Sequence, residues 1–449
     1  MSKSWKLVVV GFGMVLLAAC GGVANPSPEP EPTPAQVLPF FLPTPAPDNT
    51  TDPTVETDAA GNVHLVYAKY ARGDAFYAFC PDGCKKREAV RVVRLETQGT
   101  VDEAMLALDR AGKPHVLLST YLRVYYAHCT GDCTQASGWQ SAVILEHDAR
   151  YQVSGEAFAL DPQDRPRFLM HSYVSPFAQR ERETFYVTCD AGCLEPQGWQ
   201  AHKIEGEQLW QAAQLRYDPQ GRPRAAVVAS VKGQDGTYVD VAAYAECDTN
   251  CTAEGSWKGA GLAPAYANLT AEIPYAVSMS LTAGGAPRVA FLAKQPSGDP
   301  ALLYFACDRD CTADNWKAVN LLSSKKLDAG LDLALDRQGR PRLVFTANAN
   351  IGLAYCQVDC AGPAAEWPVV KVEFGSEMKP DQVIPYPNCT VAAWFLRHPS
   401  LTIAPDGSPK VAYQALDISG GGNPDPSKPP CEAGADMTFS RFASLAPPR

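Results

Sequence analysis

The 449-residue chain contains no H-E-x-x-H, no G-x-S-x-G, no P-loop and no EF-hand loop. It therefore carries no signature of a zinc protease, a serine hydrolase, a nucleotide-phosphate cradle or a calcium loop. Its seven histidines are scattered, and none pair at metal-ligand spacing. No metal and no cofactor are expected. Basic charge is in short supply: 39 Lys and Arg stand against 49 Asp and Glu, for a net charge of −10. That balance argues against a nucleic-acid partner. Beyond Leu7 to Leu17, no apolar stretch approaches membrane length.

What the chain does contain is a unit that recurs seven times. Asp58 to Gly61 leads into Val63-His64, and Asp109 to Gly112 leads into Pro114-His115. Asp161 to Asp164, Asp218 to Gly221, Gly284-Gly285, Asp336 to Gly339 and Asp406-Gly407 lead in the same way into a Pro-basic step. D-x-x-G between apolar runs reads as a hairpin, with Asp at the turn start and Gly at positive φ. Pro at the first position of the next strand is tolerated there, not in mid-ladder.

A second strand follows each turn, such as Leu343-Val344-Phe345, and then a loop of variable length. A third strand ends at a Cys, as in Tyr125-Tyr-Ala-His-Cys129. Trp139, Trp199, Trp257, Trp316 and Trp367 each lie shortly beyond a second Cys, where a fourth strand begins. Tyr77, Tyr126, Tyr186, Tyr244 and Tyr304 stand three residues before the first Cys, with a mostly small residue after each. Alternation then gives one large and one small apolar face, as a sheet packed between two neighbours requires. The chain is expected to be all-β: a seven-bladed β-propeller of four-stranded antiparallel blades over residues 51–449. A tandem two-sheet sandwich is the competing fold.

Fifteen Cys fall into three groups. Six C-x3-C pairs are Cys80 and Cys84, Cys129 and Cys133, Cys189 and Cys193, Cys247 and Cys251, Cys307 and Cys311, and Cys356 and Cys360. Cys389 and Cys431 remain as a seventh pair, and Cys20 stands apart. In an exported chain these pairs are expected as disulfides, each short one clamping the turn between third and fourth strands. Zinc held by paired thiolates is the alternative, but pairs spread one per blade do not converge on few ions.

Lys3 and Lys6, the apolar run and Leu17-Ala18-Ala19-Cys20 have the order of a secretory signal. The L-A-A-C box resembles the lipobox of bacterial lipoproteins. The resemblance implies cleavage after residue 19, lipid on Cys20, membrane anchoring through that lipid, and a place in the bacterial cell envelope. With Gly21 after Cys20, it points to the outer membrane or cell surface. Residues 20–50 are Pro-rich and read as an extended tether. At ~3.1 Å per residue, some thirty residues reach roughly 90 Å.

With the first strand innermost, as in known propellers, the D-x-x-G turns and C-x3-C clamps share one end of the disc. The other end gathers the irregular segments, among them residues 172–183, 232–238, 294–300, 416–435, 263–275 and 374–398. Both Cys389 and Cys431 fall on that end, as a bridge between them requires. Irregular loops on a rigid scaffold concentrate binding. His171, Tyr173, Arg180, Arg182, Lys294, Trp394 and Arg397 are the loop residues with side chains suited to recognition. The regular end offers a rival: His64, His115, Arg167, Arg224, Arg288, Arg342 and Lys410 share one register and would ring an anionic ligand. A local pair with the turn Asp, six residues earlier in five of the copies, explains the same register.

The turn, the Pro-basic step and the Y-A-x-C strand resemble repeats of bacterial secreted propellers, similar to the BNR-type repeats of the sialidase superfamily. The similarity extends over residues 55–446. Sialidase Asp boxes read S-x-D-x-G-x-x-W; here the Ser is absent and the Trp lies elsewhere, so the resemblance implies architecture and no catalytic residue. The expectation is a binding or scaffold module for glycan or envelope protein, with a glycoside hydrolase as the alternative. Closure of the ring stays open: the seventh unit takes its fourth strand from the tail at 443–449 or from the segment at 37–42, where Pro39 and Pro43 argue mildly against it.

Overall fold

A computed structural model describes residues 37–45, 49–69, 73–146, 151–153, 157–172, 183–204, 209–233, 235–265, 276–313, 315–378, 388–389, 394–417, 426–431 and 437–448. The chain is an all-β, seven-bladed propeller. Each blade is an antiparallel meander whose first strand is innermost. Those inner strands are Thr50–Thr57, Val101–Leu108, Tyr151–Gln152 with Phe158–Leu160, Leu209–Tyr217, Val277–Leu281, Leu327–Leu335 and Trp394–Ile403. Neighbouring inner strands lie against one another round the axis.

The turn chemistry is repeated. Asp58 Oδ1 accepts the backbone N–H of Ala60 at 2.9 Å and of Asn62 at 2.8 Å, and Gly61 takes φ +83°. Asp109, Asp161, Asp218 and Asp336 make the same two bonds. The other oxygen of each turn Asp meets the basic residue of the next strand. Arg224 reaches Asp218 and Arg342 reaches Asp336 at 2.8 Å, and Arg167 reaches Asp161 at 3.1 Å. His64 lies 3.4 Å from Asp58, and His115 lies 3.7 Å from Asp109. Arg288 takes Asp308 instead, and Lys410 bonds Ser444 and the Gly83 carbonyl. All but Arg288 are buried. The basic register is structural, and the anion-binding ring is excluded.

Blades pack through a second repeat. The Trp that precedes or opens each fourth strand donates Nε1–H to the carbonyl of the second Cys, at 2.8 to 3.2 Å in five blades. The same indole lies on the Tyr of the preceding blade. Tyr77–Trp139, Tyr126–Trp199, Tyr186–Trp257, Tyr244–Trp316 and Tyr304–Trp367 have ring centroids 4.7 to 5.5 Å apart. Where the ring closes, Phe442 stands at the Tyr position and Val90 at the Trp position, in one core cluster. All seven Cys pairs are disulfides, with Cα–Cα distances from 4.6 to 5.7 Å.

Blade 7 is built from both ends of the chain. Its sheet order is Val37–Phe41, Thr438–Ser444, Pro409–Asp417, Trp394–Ile403. The N-terminal segment closes the ring, and the tail does not. Pro39 is accommodated because it falls in a register shift between Val37 and Phe40 on an edge strand. Residues 37–41 of the segment read as tether thus belong to the propeller. Arg441, buried, fastens this strand. It bonds Glu373 of blade 6 at 2.7 and 2.5 Å, reaches the Pro39 carbonyl at 3.3 Å, and lies 4.2 Å from the Phe41 ring centroid.

Candidate functional site

The two ends of the propeller differ in their inner strands. At the end opposite the clamps, five of the seven inner strands shift register. The shifts lie between Thr51 and Thr54, Val101 and Glu103, Trp210 and Ala212, Leu327 and Leu331, and Arg397 and Ser400. A bulge adds a residue, twists the strand and re-aims a side chain. Each of the five shifts includes a polar residue, Asp52, Asp102, Gln211, Asp328 or His398, beside Pro53, Ala329, Gly330 and Pro399. In blade 3 the inner strand breaks into two pieces at the same level. This end of the axis, called the mouth below, is rimmed by bulged inner strands in five blades.

Two of these residues bind each other across the seam between blades 1 and 7. Asp52 Oδ1 is 2.7 Å from His398 Nδ1. Both have positive φ, +45° and +48°, and both precede a Pro. Strain of this kind persists where surrounding structure over-determines it, and it clusters at functional sites. Gly330 of blade 6 lets the backbones approach: a Cβ there would fall 2.9 Å from the His398 nitrogen. Burial pushes the Asp52 carboxyl up, but the His398 hydrogen bond and charge, with Thr51 and the more distant Arg397, bring it below its ordinary value.

Asp102 stands at the equivalent bulge of the adjacent inner strand. The Thr54 hydroxyl donates to the Ala104 carbonyl at 2.8 Å, which sets Asp52 and Asp102 at one level, each two residues above that bond. Asp102 meets solvent but is closely surrounded by protein, so desolvation pushes its carboxyl up to about 6. Beneath the mouth, Asp332 ties four blades together. It accepts bonds from Ser278 at 2.7 Å, Gln214 at 3.3 Å and the Leu401 N–H at 2.7 Å.

The expected recognition residues separate into three groups. Arg397 comes to the mouth, with Nε on Gln414 Oε1 at 2.8 Å. Lys294 is exposed at the end of a blade 5 strand, on the same face. His171 and Trp394 are not loop residues. His171 sits inside the second strand of blade 3, and burial pushes it down to about 4, so it is a neutral core histidine. Trp394 is 4% exposed and packs on Phe41 and Phe439. Its strand begins some seven residues earlier than the turn spacing indicates, because the bulge at His398-Pro399 lengthens it. Tyr173, Arg180, Arg182 and Cys20 lie outside the described residues. Among the described residues, no cluster of His, Cys, Asp and Glu has metal-binding geometry.

The mouth residues Asp52, Asp102 and His398 were not singled out from sequence. Thr-Asp-Pro-Thr and Arg-His-Pro-Ser carried the signal, since a Pro inside a strand marks a bulge. The clamp end has a cavity of about 590 Å³ lined by Glu56, Leu106, Leu108, Phe158, Leu160 and Arg216, among others.

No protein-family model and no curated protein sequence matches the chain. Solved structures do. A polysaccharide lyase of family PL25, an ulvan lyase bound to -[GlcA(1-4)Rha3S]-, shares 12% identity at a TM-score of 0.52, over 90% of this chain and 95% of that one. A second structure of a PL25 ulvan lyase gives 11% identity and 0.51 over the same shares. A lectin from Burkholderia pseudomallei gives 10% identity and 0.45 over 82% of this chain and 96% of that one. At these identities the first two establish the fold alone, and the third fit is too loose to argue from.

Proposed function

We propose that the protein is a glycan-binding propeller whose site is the bulged mouth of the channel. The observation that carries this reading is the set of bulged inner strands, with the strained Asp52–His398 pair and Asp102 on three adjacent blades. Carboxylate, amide and imidazole groups held by inner strands form a rigid polar set suited to sugar hydroxyls. That a solved propeller of related shape is a polysaccharide lyase is in keeping with it.

The attachment point adds to the reading. The closing strand starts where Val37 faces Ser444, beside Lys410 at the clamp end. A tether from a lipidated Cys20 would join the propeller at that end. On this reading the protein is a lipid-anchored envelope receptor.

A glycan array probed with purified, oxidised protein carrying Cys20→Ser tests the reading. Specific binding that weakens at least about tenfold in Asp102→Ala is expected. Folded protein that binds no glycan contradicts it.

A second reading, a glycoside-cleaving enzyme, is favoured by one observation. Asp52 is held below its ordinary value and Asp102 is raised to about 6, at one level on adjacent strands. Two carboxyls whose titrations are driven apart are what acid–base catalysis uses. Release of reducing ends from the bound glycan, lost in Asp102→Asn with binding retained, would establish it. Binding without turnover leaves the receptor reading alone.

A further inference from the structure

We propose that the hairpin tip of blade 2 carries a second saccharide subsite, built from Tyr121, Arg123, Gln98 and Glu146, so that the ligand is an oligosaccharide running outward from the mouth. This rests on the glycan reading above and extends it from a point to a path.

The tip is a two-residue loop between Pro114–Thr120 and Arg123–Cys129. Such loops favour Asn, Asp and Gly. In the equivalent loop of blade 6, Asn348 and Ala349 take φ +52° and +65°, and the Asn follows the rule. Blade 2 instead places Tyr121 and Leu122 there, 56% and 47% exposed. Turn chemistry does not ask for them, and no core receives them. The loop is nevertheless rigid: the Thr120 hydroxyl accepts the Arg123 N–H and donates to the Arg123 carbonyl, both at 3.1 Å.

Two residues on from Tyr121, a polar set is gathered round Arg123. Arg123 bonds Glu146 Oε1 at 2.9 Å and Gln98 Oε1 at 3.2 Å. Gln98 is itself held, its backbone N–H donating to the Tyr125 hydroxyl at 2.9 Å. An aromatic face offers apolar area at low entropic cost, and the C–H face of a pyranose covers it. Guanidinium, amide and carboxylate groups alongside match the hydroxyls at the ring edge.

The tip is continuous with the mouth. Val101 pairs with Thr120, so the bulge residue Asp102 follows directly on the residue facing the neighbour of Tyr121. Residues 98 to 102 join Gln98 to Asp102 along the chain. One sugar at Asp102 and the next over Tyr121 therefore lie along a single blade.

The test is an array that presents each sugar as monosaccharide, trisaccharide and hexasaccharide, probed with wild type, Tyr121→Ala, Tyr121→Phe and Asp102→Ala. Wild type is expected to bind the longer forms better. Tyr121→Ala should remove that gain, about tenfold on the hexasaccharide, with the monosaccharide unchanged. Tyr121→Phe, which keeps the ring, should retain it. If Asp102→Ala loses binding and Tyr121→Ala binds every length like wild type, the subsite is overturned while the mouth reading stands. If wild type binds no glycan of any length, both fall.

Discussion

Asp52 and His398 are 346 residues apart in sequence, yet their side chains meet at 2.7 Å across the seam where blade 1 adjoins blade 7. The contact joins two bulges, two positive-φ residues and two X-Pro steps at the mouth of the channel.

The first prediction concerns that pair. Asn tolerates the left-handed conformation as Asp does, so Asp52→Asn removes charge without adding backbone strain. It should cost about 1–2 kcal/mol at pH 7. The folded carboxyl is held below its reference value of 3.8, so wild type's advantage is present above that pH. It disappears as pH falls through the folded value. Urea denaturation of both proteins from pH 7 to pH 3 checks the sign.

Asp102 has the opposite linkage. Its folded value is raised from 3.8 to about 6, so wild type loses stability as pH rises through that window. Asp102→Asn should melt higher than wild type at pH 7.5 and equal to it below the reference value. Melting curves across the range decide this. A variant less stable at every pH contradicts the desolvated environment assigned to Asp102.

Closure by the N-terminal strand rests on buried Phe41 and Leu42 and on one buried cation, Arg441. Arg441→Met leaves Glu373 without its cation and should cost about 3–5 kcal/mol. Adding Glu373→Gln should return part of that loss, because no uncompensated charge then remains. Denaturant midpoints of the two variants measure both effects.

The Tyr–Trp ladder predicts unequal seams. Trp199→Ala removes the contact with Tyr126 and the bond to the Cys193 carbonyl, and should cost about 3 kcal/mol. Val90→Ala, at the same position of the seam where the ring closes, should cost only about 1–2 kcal/mol. Equal losses would show that the Tyr–Trp contact adds nothing to a seam beyond what Val90 supplies.

Much of this architecture was legible in the repeat. The turn Asp, the Pro-basic step, the Tyr before Cys and the Trp beyond it each occupy one register, and each has one structural role. The Asp–basic pair needed only a hairpin to be foreseen, since both partners lie within six residues. The Tyr–Trp contacts were harder, because period within one blade says nothing of what faces it in the next. The mouth was hardest. Inner strands were placed only around their turns, which left Trp394 and Arg397 in a connection. Pro39, Pro53 and Pro399 each fall inside a register shift, and read as bulge markers they would have lengthened those strands and pointed to Asp52 and His398. The placement of His171 inside a strand follows from its pairing with Gln152 and Thr184, which no local pattern announces.

The most direct measurement compares the two ends of the propeller. With the glycan selected on the array, affinities are determined for wild type, for Asp102→Ala at the bulged mouth, and for Arg216→Ala in the clamp-end cavity. Loss of at least about tenfold in Asp102→Ala, with Arg216→Ala within about twofold of wild type, is the predicted result. The reverse order would place the site at the opposite end and contradict the account.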